Sequence, residues 1–233
     1  MTRLLLIPGL AGNSVMWQAQ LQALAAYAPQ VTDVHTRNPG IETMAAALLA
    51  EYAGDLVLCG TSMGGMVAME AARQAPGRIH GLALLGTNAR PETDEMRKLR
   101  EAALPLFAQG RLAEVITPNV AFAFHADNAR DPALVQAYLD FVLEAGAQQL
   151  IAQNRAVMAR PDARLHLPAL RCPVLVMCGD TDRLTPPECS QEIAALVPQA
   201  QLEMVERCGH MLTMEQPQVV NASLLRWLKM LTF

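Results

Sequence analysis

Ser62 stands inside Gly60-Thr61-Ser62-Met63-Gly64, where an apolar run from Leu56 to Cys59 turns abruptly into a helix-forming segment. A G-x-S-x-G pattern of this kind holds its serine in strained, usually positive-φ geometry, with the hydroxyl pushed out at the top of a sheet. Gly60 and Gly64 suit so sharp a bend because they carry no Cβ to collide across it. A serine hydroxyl is a poor nucleophile until an imidazole removes its proton. The imidazole in turn needs a carboxylate to fix its tautomer and steady its positive form. Asp182 and His210 supply those parts, each just after an apolar run, in the chain order Ser, Asp, His. The serine pattern alone leaves a second reading open, a glycine-rich turn that binds phosphate. A dinucleotide fingerprint wants glycines at 60, 62 and 65 and an acid ending the next strand. Position 62 is Ser, and the next run ends Leu84-Leu85-Gly86-Thr87. The Lys-Ser or Lys-Thr of a P-loop is also missing.

The elements that must position these residues alternate from the start of the chain. Arg3 to Ile7 reads as a strand buried on both faces, followed by the turn Pro8-Gly9-Leu10-Ala11-Gly12 and a helix over Ser14 to Tyr27. Val31 to Thr36 alternates weakly as a strand, and Glu42 to Tyr52 is an alanine- and leucine-rich helix. The Leu56–Cys59 strand and a helix from Ser62 to Gln74 follow, then a strand over Leu82 to Leu85. This rhythm predicts right-handed crossovers and a parallel sheet. It breaks after Gly86, and residues 88–170 read as helical segments without a strand. Ala133 to Glu144 is a helix with Asp131 as N-cap and Pro132 in the first turn, and Ala147 to Ala159 is another. A connection this long is not a bare loop in a compact domain. We read it as a helical lid over the sheet's carboxyl edge. The rhythm resumes with the strand Pro173 to Cys178, the loop Gly179 to Leu184, and a helix opened by Thr185-Pro186-Pro187-Glu188, which has the form of a capping box with Thr185 as N-cap. Gln201 to Val205 is the last strand and Pro217 to Leu231 the last helix.

Composition bounds the function. At 233 residues and 52% hydrophobic, the chain is large enough for one domain with an insertion and a sizeable core. A net charge of −4 and 4% aromatic residues argue against a nucleic-acid surface, which wants a basic face and stacking rings. The cluster Arg97-Lys98-Leu99-Arg100 reads as a solvated helix face. The five cysteines fit neither a disulfide framework nor zinc-ligand spacing, so no metal site is expected from them. The first apolar run is too short for a signal peptide, and no run approaches the ~20 residues of a membrane span. The expectation is a soluble, cytoplasmic protein with no membrane partner.

With these motifs the chain resembles the α/β-hydrolases, specifically small esterase-like members with a helical lid. The resemblance rests on Gly60-Thr61-Ser62-Met63-Gly64-Gly65, on Gly179-Asp180-Thr181-Asp182-Arg183-Leu184-Thr185-Pro186, and on Gly209-His210 followed by Glu215-Gln216-Pro217. It covers nearly the whole chain. It implies an α/β-hydrolase core over 1–87 and 171–233, a lid over 88–170, and a trimmed sheet of about six parallel strands, since the chain begins with the first central strand. It also implies that Asp182, rather than Asp180, is the triad acid, and that the N–H groups of Leu10 and Met63 form the oxyanion hole. Asp180 is then a turn former bonded to its own loop. Where the family carries His-Gly, this chain has Pro8-Gly9, a change the backbone donors tolerate.

The implied activity is cofactor-free hydrolysis of a small carboxylic ester or thioester through an acyl-enzyme. The same triad could serve a carbon–carbon hydrolase or a perhydrolase, or the pocket could belong to a non-catalytic ligand binder. Met16, Trp17, Phe122, Phe124, Met158 and Met211 are candidates for an apolar pocket, with core packing as the competing reading for each. His35 and His80 read as surface or satisfied core residues. His125 and His166 lie in the insertion, and Arg155 and Arg160 read as lid-surface arginines.

Overall fold

A computed structural model describes residues 2–231. Met1, Thr232 and Phe233, assigned above to the hydrolase core, lie outside the described residues. Six strands form one sheet: β1 (Arg3–Ile7), β2 (Gln30–Val31), β3 (Leu56–Thr61), β4 (Ile79–Leu85), β5 (Val174–Gly179) and β6 (Ala200–Val205). Their order is β2-β1-β3-β4-β5-β6, and every pairing is parallel. This is the α/β-hydrolase architecture, with the sheet flanked by helices on both faces.

The apolar runs read as doubly buried strands because alternate side chains serve opposite layers. Leu5, Ile7, Leu56, Leu58, Leu82, Leu84, Val174 and Val176 join the core beneath the helices Ile41–Glu51, Met63–Gln74 and Pro187–Leu196. Leu4, Leu6, Val57, Cys59, Ala83, Leu85, Leu175 and Met177 face the other way, onto Trp17, Leu24, Val220, Leu224 and Trp227. A one-residue slip in any central strand would exchange the two sets, which fixes the register.

Between β4 and β5 lie the helices Asp94–Ala108, Leu112–Ala123, Pro132–Glu144 and Gly146–Met158. The first packs on the fourth and the second on the third. Phe107, Ile116, Phe124, Tyr138, Phe141 and Leu150 from this segment merge with the second core layer, while Ala156 and Val157 reach the first. Glu92, before the first of these helices, is buried with Arg160 at 3.0 Å and Arg100 at 2.7 Å. Arg160 is therefore not a lid-surface arginine. It is nearly inaccessible and also donates to the carbonyls of Arg90 and Val157.

Three local readings are corrected. The Val31–Thr36 strand is only Gln30–Val31, and Val34–Arg37 is a helical turn. There the Thr32 hydroxyl accepts from Val34 N–H and the Thr36 hydroxyl donates to the Asp33 carbonyl, local bonds that compete with a strand ladder. The Ser14–Tyr27 helix is broken into a 3-10 turn at Ser14–Trp17, the helix Gln18–Ala23 and a second turn at Ala25–Tyr27. Thr185 is not an N-cap. The helix begins at Pro187 with Pro186 before it, and the Thr185 hydroxyl turns towards Asp182.

Candidate active site

Ser62 follows β3 at φ 50°, ψ −118°, outside the regions an L residue adopts without strain. The bend is that tight because two glycines permit it. A Cβ on Gly60 would stand 2.3 Å from the Gly64 carbonyl oxygen, and one on Gly64 would stand 2.1 Å from the Ile7 carbonyl oxygen. Ser62 N–H donates to the Leu85 carbonyl at 2.9 Å, and the Thr87 hydroxyl donates to the Ser62 carbonyl at 2.7 Å. The turn at Ser62 is thus tied to the end of β4 and to the residues just after it.

Gly86, next along β4, is where the other two residues arrive. A Cβ there would lie 3.3 Å from Asp182 Oδ2 and 3.5 Å from His210 Nδ1. Asp182 follows β5 and His210 follows β6, and His210 Nδ1 meets Asp182 Oδ2 at 2.8 Å. Asp182 is almost wholly buried but not short of partners. Its Oδ1 accepts from Leu184 N–H and Thr185 N–H, both at 2.9 Å, and its Oδ2 accepts from the Thr185 hydroxyl at 2.8 Å. Burial would raise the carboxyl pKa, but the His210 charge and these donors together hold it below the ordinary carboxylate range. For His210, burial works to lower the pKa, and the charge and hydrogen bond of Asp182, with the more distant charge of Glu215, carry it above the ordinary imidazole value. Asp180 takes a different part: its carboxylate accepts from Arg207 N–H at 3.0 Å and Cys208 N–H at 3.1 Å, fastening the β5 loop to the β6 loop.

With Nδ1 committed to Asp182, the ring is oriented through one nitrogen and Nε2 is left for a proton from elsewhere. Among the described residues no hydrogen bond joins Ser62 Oγ to His210. Such bonds are often long without substrate and tighten in the complex. Among the described residues, Leu10 N–H and Met63 N–H also have no acceptor, and Met63 opens the helix Met63–Gln74, whose N-terminal end favours negative charge.

Met16 lines a surface groove of about 340 Å³ with Val15, Leu134, Ala137, Met214 and Pro217, and Ser62, Asp182 and His210 are not among the residues that line it. The Met16 sulfur accepts from the Thr61 hydroxyl, beside Ser62, at 4.0 Å. Trp17 and Met211 are buried together in the second core layer. Phe124 is buried edge-on to Tyr138 at 5.3 Å, and exposed Phe122 lies under the Arg183 guanidinium at 4.3 Å. Met158 is buried at its helix end, where its carbonyl accepts from Arg97. His35 is buried against the Gly12 carbonyl, His80 pairs loosely with Asp55 at 3.5 Å, and Arg155 is exposed. His125 Nδ1 accepts from Asp127 N–H, and His166 Nε2 is buried without a partner among the described residues.

Thr185 and Glu215 were not identified as site residues from sequence. Glu215 Oε1 accepts from Gly209 N–H at 3.0 Å and Met211 N–H at 3.1 Å, the amides on either side of His210. Its Oε2 accepts from His125 N–H and Asn128 Nδ2, both at 2.8 Å, so one carboxylate ties the His210 loop to the insertion. The Glu215-Gln216-Pro217 motif was the available signal. For Thr185 the capping-box pattern pointed the hydroxyl the wrong way.

The model of the alpha/beta hydrolase family matches residues 4–223. The chain belongs to this family. Among its relatives, a pimeloyl-[acyl-carrier protein] methyl ester esterase of Aromatoleum aromaticum is 30% identical over 207 residues, covering 78% of this chain and 77% of that one. A putative carbamate hydrolase of Variovorax paradoxus is 29% identical, covering 96% and 90%. Among solved structures, a thermophilic esterase from Thermogutta terrifontis superposes with a TM-score of 0.89 at 28% identity, covering 98% of this chain and 90% of that one. No described helix of this hydrolase is long and apolar enough to cross a membrane.

Proposed function

We propose that this hydrolase cleaves small carboxylic esters or thioesters through a covalent acyl-enzyme on Ser62. Ser62 Oγ attacks the acyl carbon while His210 Nε2 takes its proton, and Asp182 holds the imidazole and balances its positive charge. The oxyanion is held by Leu10 N–H and Met63 N–H. His210 returns the proton to the departing alcohol or thiol. Water then attacks the acyl carbon with His210 again as base, which releases the acid and restores Ser62.

The observation that carries this reading is the meeting at Gly86. A strained serine is tied to one side of that peptide, and a 2.8 Å imidazole–carboxylate pair abuts the other. The names of the relatives support the ester class, since two of the proteins reported above are esterases. The helical insertion over 88–170 would act as the lid of this site.

Hydrolysis of p-nitrophenyl esters across acyl lengths, with wild type beside Ser62→Ala, tests the proposal. Wild type is expected to turn over short esters, with turnover reduced to background in Ser62→Ala. Equal turnover by the two proteins would overturn it. Tight ligand binding with no turnover of any ester would point instead to a binder.

A further inference from the structure

We propose that Gln153, on the insertion helix Gly146–Met158, is a positioning residue that sets the backbone donor of Leu10. The inference rests on the oxyanion role proposed above for that donor. Leu10 belongs to the turn Pro8–Gly12, in which Gly12 N–H donates to the Gly9 carbonyl at 3.0 Å. Ala11 in that turn is held at φ 59°, a left-handed conformation that a residue with a Cβ adopts only when its surroundings demand it. The demand comes from outside the turn. Ala11 N–H donates to Gln153 Oε1 at 2.7 Å, a buried bond that spans 142 residues of sequence.

Gln153 is itself fixed at its other end. Its Nε2 donates to the His35 carbonyl at 3.0 Å, and His35 Nε2 lies 2.8 Å from the Gly12 carbonyl. Insertion helix, the Val34–Arg37 turn and oxyanion loop thus form a closed ring of three buried hydrogen bonds. Of the three N–H groups after Gly9, those of Ala11 and Gly12 are taken, and Leu10 N–H has no acceptor among the described residues. Leu10 N–H belongs to the Gly9–Leu10 peptide, whose carbonyl accepts from Gly12 N–H, and the bond to Ala11 N–H fixes the next peptide, Leu10–Ala11, inside that turn. Without that bond the Leu10–Ala11 peptide is free to rotate, Ala11 relaxes from positive φ, the Gly9–Gly12 turn loosens, and the Gly9–Leu10 peptide that carries Leu10 N–H loses its aim.

The arrangement makes the insertion more than a cover. Neighbouring Asn154 accepts from Arg100 at 2.8 Å, so the helix that carries Gln153 is also braced to the start of the insertion. A displacement of this helix is transmitted to the oxyanion loop through one side chain. A donor displaced from a developing oxyanion weakens the transition state while leaving ground-state binding in place.

The test compares wild type, Gln153→Met, which is close in volume but without the amide, and Gln153→Asn, whose arm is one methylene shorter. Steady-state kinetics on a short p-nitrophenyl ester are read beside melting temperature. We expect kcat to fall roughly 10–100-fold in each variant while KM stays within about twofold. Unchanged kcat with a lower melting temperature would overturn the inference and leave Gln153 as a packing residue. A rise in KM at constant kcat would also overturn it. Should Gln153→Met fail to fold, the same split in Gln153→Asn decides. A wild-type protein without turnover overturns the functional reading and this inference together; an active wild type with unaffected variants overturns this inference only.

Discussion

At the level of single residues, the Asp182–His210 pair makes the sharpest demand. The general base proposed above, His210, must be neutral to act; burial lowers its pKa, but the charge and hydrogen bond of Asp182, with a smaller contribution from Glu215, carry it above its ordinary value of 6.5. Activity should therefore rise with pH, with kcat/KM increasing through an apparent pKa above 6.5. In Asp182→Asn the main raising cause is gone and burial still lowers the pKa. The acid limb should then move to lower pH, and kcat should fall by about 10³–10⁴-fold, because the amide no longer fixes the tautomer or balances the imidazolium. A pH–rate profile of both proteins checks direction and size; an unmoved limb would contradict the pairing. The sequence presented these residues well, because each sits at a punctuated strand end. Thr185 was misread because an N-cap threonine and a threonine bonded to the preceding aspartate leave the same Thr-Pro-Pro-Glu signature. Gln153 left no signal at all: its meaning depends on a contact 142 residues away.

At the level of secondary-structure elements, the central strands were legible because both faces are buried and the runs are continuously apolar. The weaker outer segment was not. Gln30–Val31 is a two-residue edge strand, too short to declare a period, and the side chains of Thr32 and Thr36 favour a turn. The insertion was legible as helices, but its interior was not, since no spacing announces that Glu92 meets Arg160 and Arg100. That cluster yields a prediction of its own. The Glu92 side chain is 4% exposed and that of Arg160 is 5%, so removing the carboxylate leaves a buried guanidinium without its counter-charge. Glu92→Ala should lower unfolding stability by roughly 3 kcal/mol in a urea melt, as for other broken buried pairs. A change below about 1 kcal/mol, the range of exposed pairs, would show that the cluster is solvated.

For the molecule as a whole, one parallel sheet collects three distant chain segments beside a single peptide, Gly86, and four helices are inserted between β4 and β5. The sheet's two apolar layers make disulfides unnecessary, and all five cysteines are free thiols. Cys59, Cys178, Cys189 and Cys208 are buried, and burial pushes the Cys178 thiol up to about 12. Only half-buried Cys172 should react with a water-soluble thiol reagent in the native protein, against all five after denaturation, and melting should be the same with and without reductant. Reaction of several native thiols would contradict the packing. The central claim concerns Ser62, and its most direct test is fluorophosphonate labelling of the intact protein with the modified residue located by mass spectrometry. The expected result is one adduct per chain, on Ser62, absent from Ser62→Ala and slowed in Asp182→Asn. An adduct on another residue, or none under conditions where the folded protein binds ester substrates, would contradict the account.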